Sequence, residues 1–597
     1  MTLPAPALPR AEPAYFMSNG RACVRWLHRP AATVAARDVG VVICCPLGYK
    51  AQLSHRSLRH LAEESAARGY PTLRFDYDGT GDSAGDDLDA DRWEAWLASL
   101  RAAVHELQER SGVSRVVLLG VRLGASMAAA AAVDAADVAG AVLIAPIASG
   151  RLWLRELRAL KATMGRPEGP RAFALPADMQ ESVGMLITAD TKAAIESIDL
   201  SSLGSRLPRE LLLIDREDRP AHTLLAERWR ADGHVVRHAV LPGFAEMMVD
   251  PHESEVPSRI IAEVIEWLEA SFPGEQPRGL VATELTEALP TQTTLMTAAV
   301  AVGVEERLHT FGSGGRLFGV MSVPVGTRPT RAMVLLNSGA NSHIGSGRMY
   351  VKFARRLAAA GWIVLRYDVS GIGDSLPHAG APENEVYTPH AVSDLGTALE
   401  LLRQEHAPER IEVMGICSGG YHGFKGAVAG LPIDGITVVN PLVFFWKPGM
   451  SLAYPPFQMV QIAAQYRRSV LQPDKWLKLL RGQVKVGEVA RVLMHRFEGR
   501  VRGFAREMAR ALRMPLHEDL AMEVSSIVEG GVALRFIFSA GDPGEALLRE
   551  GAGRRFAQLT AQGAVTLANL ADCDHSLSSS WMHEALWEQF SRGLESR

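Results

Sequence analysis

Short, mostly apolar runs alternate along this chain with longer helical patterns. The runs at 332–336, 411–414, 532–538 and 565–570 read as strands, and 260–271 reads as a helix. Hairpin-like patterns around a glycine turn stand at 16–27 and 308–323. Strands alternating with helices predict an α/β architecture with doubly wound, mostly parallel sheets.

The pattern occurs twice. Arg74-Phe75-Asp76-Tyr77-Asp78-Gly79-Thr80-Gly81-Asp82-Ser83 is matched by Arg366-Tyr367-Asp368-Val369-Ser370-Gly371-Ile372-Gly373-Asp374-Ser375. In each copy a helix and a glycine precede a short strand, which runs into an Asp/Gly/Ser-rich loop. A repeat of this length is a whole domain rather than a solenoid unit. The reading is two tandem domains, 1–272 and 304–597. A Pro/Thr/Ala-rich linker at 273–303 joins them.

One junction carries chemistry. The strand at 411–414 leads into Gly415-Ile416-Cys417-Ser418-Gly419. Glycines two residues either side of Cys417 let strand and helix pack around a strained turn, the G-x-S-x-G nucleophile elbow with cysteine at its tip. Ser418 lacks a glycine two residues before it, so its side chain is expected to point away from the site. Downstream, the strand at 532–538 ends near Asp542, and that at 565–570 near His575. Nucleophile, acid, histidine is the chain order of a hydrolase triad of this kind. Upstream, 332–336 opens into Asn337-Ser338-Gly339-Ala340, where such a fold places its second oxyanion donor.

The first half keeps the glycines but changes the tip: Leu119-Gly120-Val121-Arg122-Leu123-Gly124-Ala125. A guanidinium stays protonated and cannot attack a carbonyl. The aligned acid is Asp218, and aligning Leu241 on Leu570 puts Glu246 where His575 sits. His252 lies six residues further on. The first domain therefore reads as a pseudoenzyme. Two roles for Arg122 stay open: an ion pair with Asp218 or Glu246 that plugs a dead site, or a grip on an anionic ligand.

Composition narrows the remaining classes. At 597 residues the chain is too long for one core. A net charge of −4 leaves no global electrostatic case for nucleic acid. The cysteines, Cys23, Cys44, Cys45, Cys417 and Cys573, are few and odd in number, which argues for a reducing compartment over a disulfide framework. Residues 1–10 have no apolar signal core, and no run of about 18 apolar residues appears. A cytoplasmic protein with no membrane span, no metal and no cofactor is expected.

These motifs resemble the α/β-hydrolase superfamily, twice, over nearly the whole chain. More narrowly, Gly120-Val121-Arg122-Leu123-Gly124-Ala125 with Pro242-Gly243-Phe244-Ala245-Glu246 resembles one of two hydrolases associated with the exosortase A system of bacterial polysaccharide loci. Gly415-Ile416-Cys417 with Asp574-His575-Ser576-Leu577 resembles the other. The resemblance implies a fusion of the two. Cysteine at the elbow is also similar to dienelactone hydrolases and to aminoacyl-shuttling transferases of nonribosomal peptide pathways.

On this reading Cys417 is the nucleophile, His575 the base and Asp542 its orienter. The backbone N–H groups of Ser418 and Ala340 hold the oxyanion. A thiolate returns a thioester, which keeps its transfer potential, so cysteine favours acyl transfer or thioester exchange over hydrolysis of esters or thioesters. A non-catalytic scaffold is the reading from another class.

A helical lid is expected at about 444–520. Between residues 446 and 513 it carries fourteen Lys and Arg against four Asp and Glu. So basic a lid suits an acyl carrier protein or coenzyme A as partner. Phe444, Phe445, Trp446, Tyr454, Phe457, Tyr466 and Trp476 are candidates for an acyl pocket. The two domains are expected to pack as a pseudo-dimer.

Overall fold

In the computed structural model, residues 11–163, 175–176, 178–274, 292–295, 303–447, 449–450 and 516–595 are described, with 506, 508–510, 512 and 514. Most of the expected lid, including Tyr454, Phe457, Tyr466 and Trp476 and most of its cations, lies outside the described residues.

The strands in chain order are β1 (Glu12–Ser18), β2 (Arg21–His28), β3 (Val39–Cys44), β4 (Thr72–Phe75), β5 (Arg115–Val121) and β6 (Val138–Ile144). A small hairpin follows, β7 (Gln180–Ser182) and β8 (Met185–Ile187), then β9 (Glu210–Arg216) and β10 (Val235–Leu241). Eight of them form one sheet, ordered β1-β2-β4-β3-β5-β6-β9-β10. The antiparallel hairpin β1–β2 forms its edge, and the strands from β4 to β10 run parallel. Helices α1 (Tyr49–Ala67), α2 (Arg92–Ser111), α3 (Leu123–Ala132), α4 (Gly150–Thr163), α5 (Ala189–Glu196), α6 (Thr223–Ala231), α7 (Phe244–Met247) and α8 (Ser258–Ser271) connect or cover them.

The second half repeats the plan. Strands β11 (Gln292–Leu295), β12 (Val304–Phe311), β13 (Leu317–Pro324), β14 (Arg331–Leu336), β15 (Trp362–Tyr367), β16 (Arg410–Ile416), β17 (Gly435–Val439), β18 (Ala533–Ser539) and β19 (Val565–Leu570) form one nine-stranded sheet. Its order is β11-β12-β13-β15-β14-β16-β17-β18-β19. Its helices are α9 (Met349–Ala359), α10 (Ala391–His406), α11 (Ser418–Val428), α12 (Leu520–Glu529), α13 (Pro543–Ala561) and α14 (Ser580–Glu595). Within the expected linker, Gln292–Leu295 forms the edge strand β11, antiparallel to β12.

The chain divides into two compact units. One comprises Met1–His309, Val320–Gly326 and Ile344–Ala359; the other comprises Thr310–Gly319, Thr327–His343 and Ala360–Arg597.

Covered faces explain the apolar runs. In β3 every residue is buried, and in β5 all but Arg115, as expected of parallel strands with helices on both faces. Helix α8 buries Ile260, Ile261, Val264, Ile265, Trp267 and Leu268, an i, i+4 stripe against the sheet.

The repeated Asp/Gly/Ser loop is architecture. Asp76 accepts from the Asp82 amide at 2.9 Å, and Asp368 from the Asp374 amide at 3.0 Å. A Cβ at Gly81 or Gly373 would lie 2.0 or 2.2 Å from the carboxylate of its own aspartate, and both glycines have positive φ. The aspartate thus fastens a loop that only glycine can close, which keeps the two stretches alike.

Both sheets reverse direction at one place. The chain passes from β14 to β15 on one side, then to β16 on the other side of β14. Such a reversal leaves a crevice beyond the carboxyl ends of the two inner strands, where α/β folds place ligands. The second elbow stands there, at the end of β16.

Candidate active site

The turn from β16 to α11 has Cys417 at φ 54°, ψ −117°, a conformation that costs a non-glycine residue about 1–3 kcal/mol. The flanking glycines make it possible. A Cβ at Gly415 would lie 2.2 Å from the carbonyl carbon of Gly419, and one at Gly419 would lie 2.4 Å from the carbonyl oxygen of Asn337. The Cys417 amide donates to the Val439 carbonyl at 2.8 Å, pinning the tip to β17. The thiol is partly exposed.

His575 follows β19, and its Nδ1 lies 2.6 Å from Oδ2 of Asp542. Asp542 is the N-cap of α13, with Oδ1 accepting from the Gly544 amide at 2.9 Å. Its two oxygens are thus divided between helix and imidazole. Burial works against an imidazolium at His575. The Asp542 hydrogen bond and the neighbouring Cys417 thiol outweigh it, and the pKa is raised to about 10. The structure therefore brings Cys417, His575 and Asp542 together.

The other predicted donors come from two segments. Ser418 opens α11, so its amide is one of those that a helix N-terminus leaves without an internal acceptor. Its side chain does point away: the buried Ser418 hydroxyl accepts from the Gly339 amide at 2.9 Å. That bond holds the loop carrying Ala340 against the elbow. Asn337 shapes the same loop, donating to the Asn341 carbonyl at 2.8 Å and to Asp368 at 3.0 Å. His343 completes this support, its Nδ1 lying 3.0 Å from Asp368.

Two residues escaped the sequence reading. Asn440, at the end of β17, donates from Nδ2 to the Ser539 hydroxyl and the His575 carbonyl, each at 2.9 Å. It thereby ties the acid-bearing strand to the histidine loop. Its positive φ of 44° appears only in the folded chain. Tyr387 lies in the loop before α10, and its buried hydroxyl faces Cys417 without a hydrogen bond of ordinary geometry. Burial first, then the adjacent Cys417, pushes that phenol well above its usual range.

Tyr387 also builds a wall beside the thiol. Trp446 stacks on it at 4.2 Å between centroids, and Tyr421 meets it edge-on at 5.1 Å. Ala340, Val386 and Val443 belong to the same small apolar cluster. Of the aromatic residues proposed for an acyl pocket, only Trp446 joins this wall among the described residues. Phe444 is core, packed on Phe424 and Phe536, and Phe445 lies under the Lys425 ammonium.

The first elbow keeps the geometry without the nucleophile. Arg122 has φ 54°, ψ −121°, and its amide donates to the Ile144 carbonyl at 3.0 Å. Its side chain corrects the expected pairing. Arg122 Nη2 bonds Oε2 of Glu156 at 2.5 Å, not Asp218 or Glu246. Glu156 comes from α4, which no motif of the chain places over the elbow. Asp218 instead pairs with Arg216 and is half exposed. Strand register also shifts the acid position by one. Leu241 lies opposite Arg216 as Leu570 lies opposite Ser539, so the residue matching Asp542 is Arg219. Glu246 is exposed on α7, and His252 lies 3.7 Å from Glu253.

Among the described residues, no helix is long and apolar enough to cross a membrane, and no group of three or more His, Cys, Asp or Glu is placed to hold a metal ion. All five cysteines are free.

The serine aminopeptidase S33 family matches residues 51–177 and, a second time, 328–485. No curated protein matches the chain in sequence. Similar solved structures include a lidless α/β serine hydrolase from Xanthomonas campestris, at 14% identity and a TM-score of 0.30, covering 45% of this chain and 100% of its own. Est1E from Butyrivibrio proteoclasticus, with ferulic acid bound, is 14% identical with a TM-score of 0.33, covering 43% and 98%. A proline iminopeptidase from Mycobacterium smegmatis is 15% identical with a TM-score of 0.32, covering 44% and 98%. Each spans less than half of this chain, and none at this likeness bears on substrate. The chain carries the α/β-hydrolase fold twice in tandem.

Proposed function

We propose that the protein is an acyl-transfer enzyme working through a covalent acyl-Cys417 intermediate, with the first domain a pseudoenzyme. One observation carries the reading: Cys417 on a strained elbow beside His575, which Asp542 holds by a 2.6 Å hydrogen bond. The thiolate sulfur attacks the carbonyl carbon of an ester or thioester. The carbonyl electron pair moves to oxygen, where the Ser418 and Ala340 amides receive it. The intermediate collapses, the leaving alkoxide or thiolate takes the proton from the His575 imidazolium, and the acyl group remains on sulfur. An acceptor, deprotonated by His575, then attacks and frees Cys417.

The aromatic wall of Tyr387, Tyr421 and Trp446 supports a largely apolar acyl group. The basic composition of 446–513 supports an acyl carrier protein or coenzyme A as donor. A free thiol nucleophile is compatible with a cytoplasmic site of action.

The second reading is hydrolysis by the same triad, and the match to a family described as serine aminopeptidases favours it. Incubation with an acyl thioester, followed by intact mass and free-acid assay, separates the two. Transfer requires an adduct that persists until an acceptor is added. Fast release of free acid identifies a hydrolase, and neither result would leave only a scaffold.

A further inference from the structure

The first elbow has a cavity of about 100 Å³, whereas a single water needs only about 10–15 Å³. Its walls are mostly apolar, from Leu47, Trp153, Leu157, Leu160 and Met185. Among the described residues two cations, Arg122 and Lys50, line it with a single carboxylate, Glu156.

The charges do not balance. The Arg122 side chain is only 12% exposed, whereas that of Glu156 is 45% exposed. The half-buried Lys50 ammonium has Glu156 as its attractive charge against the repulsion of Arg122 and Arg216. Arg216 and Arg219 add positive potential at Arg122, and Arg216 is already paired with Asp218. Burial and the neighbouring Arg122 both pull Lys50 toward deprotonation, which an added anion would relieve. A structural plug would bury its carboxylate with the guanidinium. Here the carboxylate stands at the solvent side, where a ligand can displace it.

We propose that this cavity binds a small carboxylate with a short apolar body. The carboxylate would take the Arg122 fork in place of Glu156, with Lys50 as second cation and the apolar body against Trp153 and Leu157. One guanidinium fork matches a planar carboxylate. The apolar walls suit a singly charged ligand with a hydrocarbon portion better than a hydrated phosphate. The first domain is then a binding module built on a hydrolase frame.

Calorimetric titration of the full chain with hexanoate, hexanamide and inorganic phosphate tests this, with Cys417 alkylated so that the second site cannot contribute. Hexanoate should bind with one-to-one stoichiometry, and hexanamide at least tenfold more weakly. Phosphate should not compete. Arg122→Met should weaken hexanoate at least tenfold and Lys50→Met several-fold. Glu156→Gln should tighten it several-fold by removing the competing carboxylate, an arm that holds even if Arg122→Met fails to fold. Absence of hexanoate binding, equal affinity in Arg122→Met, tighter binding of phosphate, or weaker binding in Glu156→Gln would each overturn the proposal.

Discussion

Cys417 and Arg122 hold the same backbone conformation, φ 54° with ψ −117° and φ 54° with ψ −121°. One carries a nucleophilic thiol and the other a permanent cation. The elbow is thus a structural device that the chain uses twice, for different ends. What surrounds each tip decides its chemistry: His575 and Asp542 at one, Glu156 and Lys50 at the other.

Removing the acid should expose its hold on the base. In Asp542→Asn, His575 loses its hydrogen-bonded carboxylate, and kcat should fall by on the order of 10⁴. An NMR titration of the His575 ring should move from about 10 toward the ordinary imidazole range. Unchanged titration would mean that Asp542 does not set the charge of His575.

The same shift gives stability a pH dependence. The folded pKa of about 10 lies above the roughly 6.5 of a free imidazole, so protonated His575 stabilises the fold fully below about pH 6.5. That contribution is lost as pH rises toward 10. Denaturant unfolding at pH 7 and pH 9.5 should show a loss in wild type that His575→Gln lacks. An equal loss in both proteins would contradict the assignment.

Ser418→Ala should separate support from attack. The change removes the acceptor of the partly buried Gly339 amide, a hydrogen bond worth about 0.5–1.5 kcal/mol. It should lower both the unfolding midpoint and kcat. Acylation, followed by peptide mapping, should still find the adduct on Cys417. Loss of the adduct with the fold intact would make Ser418 the nucleophile.

Gly419→Ala tests the close packing of elbow and oxyanion loop. The new methyl would lie 2.4 Å from the Asn337 carbonyl oxygen and push away the loop that carries Ala340. Overpacking of this kind costs about 1–3 kcal/mol. Thermal unfolding should register that loss, and kcat should fall while alkylation of the Cys417 thiol persists. Wild-type turnover in this variant would remove the loop from catalysis.

The first domain should stay silent when given a nucleophile. Arg122→Ser in a Cys417→Ala background places a hydroxyl on the first elbow, with Arg219 and the exposed Glu246 where acid and histidine would stand. No ester hydrolysis above background is expected. Measurable turnover would contradict the pseudoenzyme reading.

What the sequence disclosed was local. The elbow is written as glycines at fixed offsets from Cys417, and the central strands as apolar runs buried on both faces. Asp542 and His575 were legible because each closely follows a strand, Asp542 a buried one and His575 the half-exposed edge strand β19. Asp218 misled because loops after strands tolerate a one-residue slip, which only the pairing of Leu241 with Arg216 resolves. Glu156 and Tyr387 were invisible, since both reach their elbows from connecting segments whose path the pattern does not specify. Asn440 had no signal beyond its place at a strand end.

Intact mass spectrometry of the full chain after brief exposure to an acyl thioester, with peptide mapping of the modified site, tests the central claim most directly. The account predicts a single added acyl group on Cys417, absent in Cys417→Ala and formed normally when Cys44, Cys45 or Cys573 is replaced. An acyl group on another residue, with activity surviving in Cys417→Ala, would contradict it.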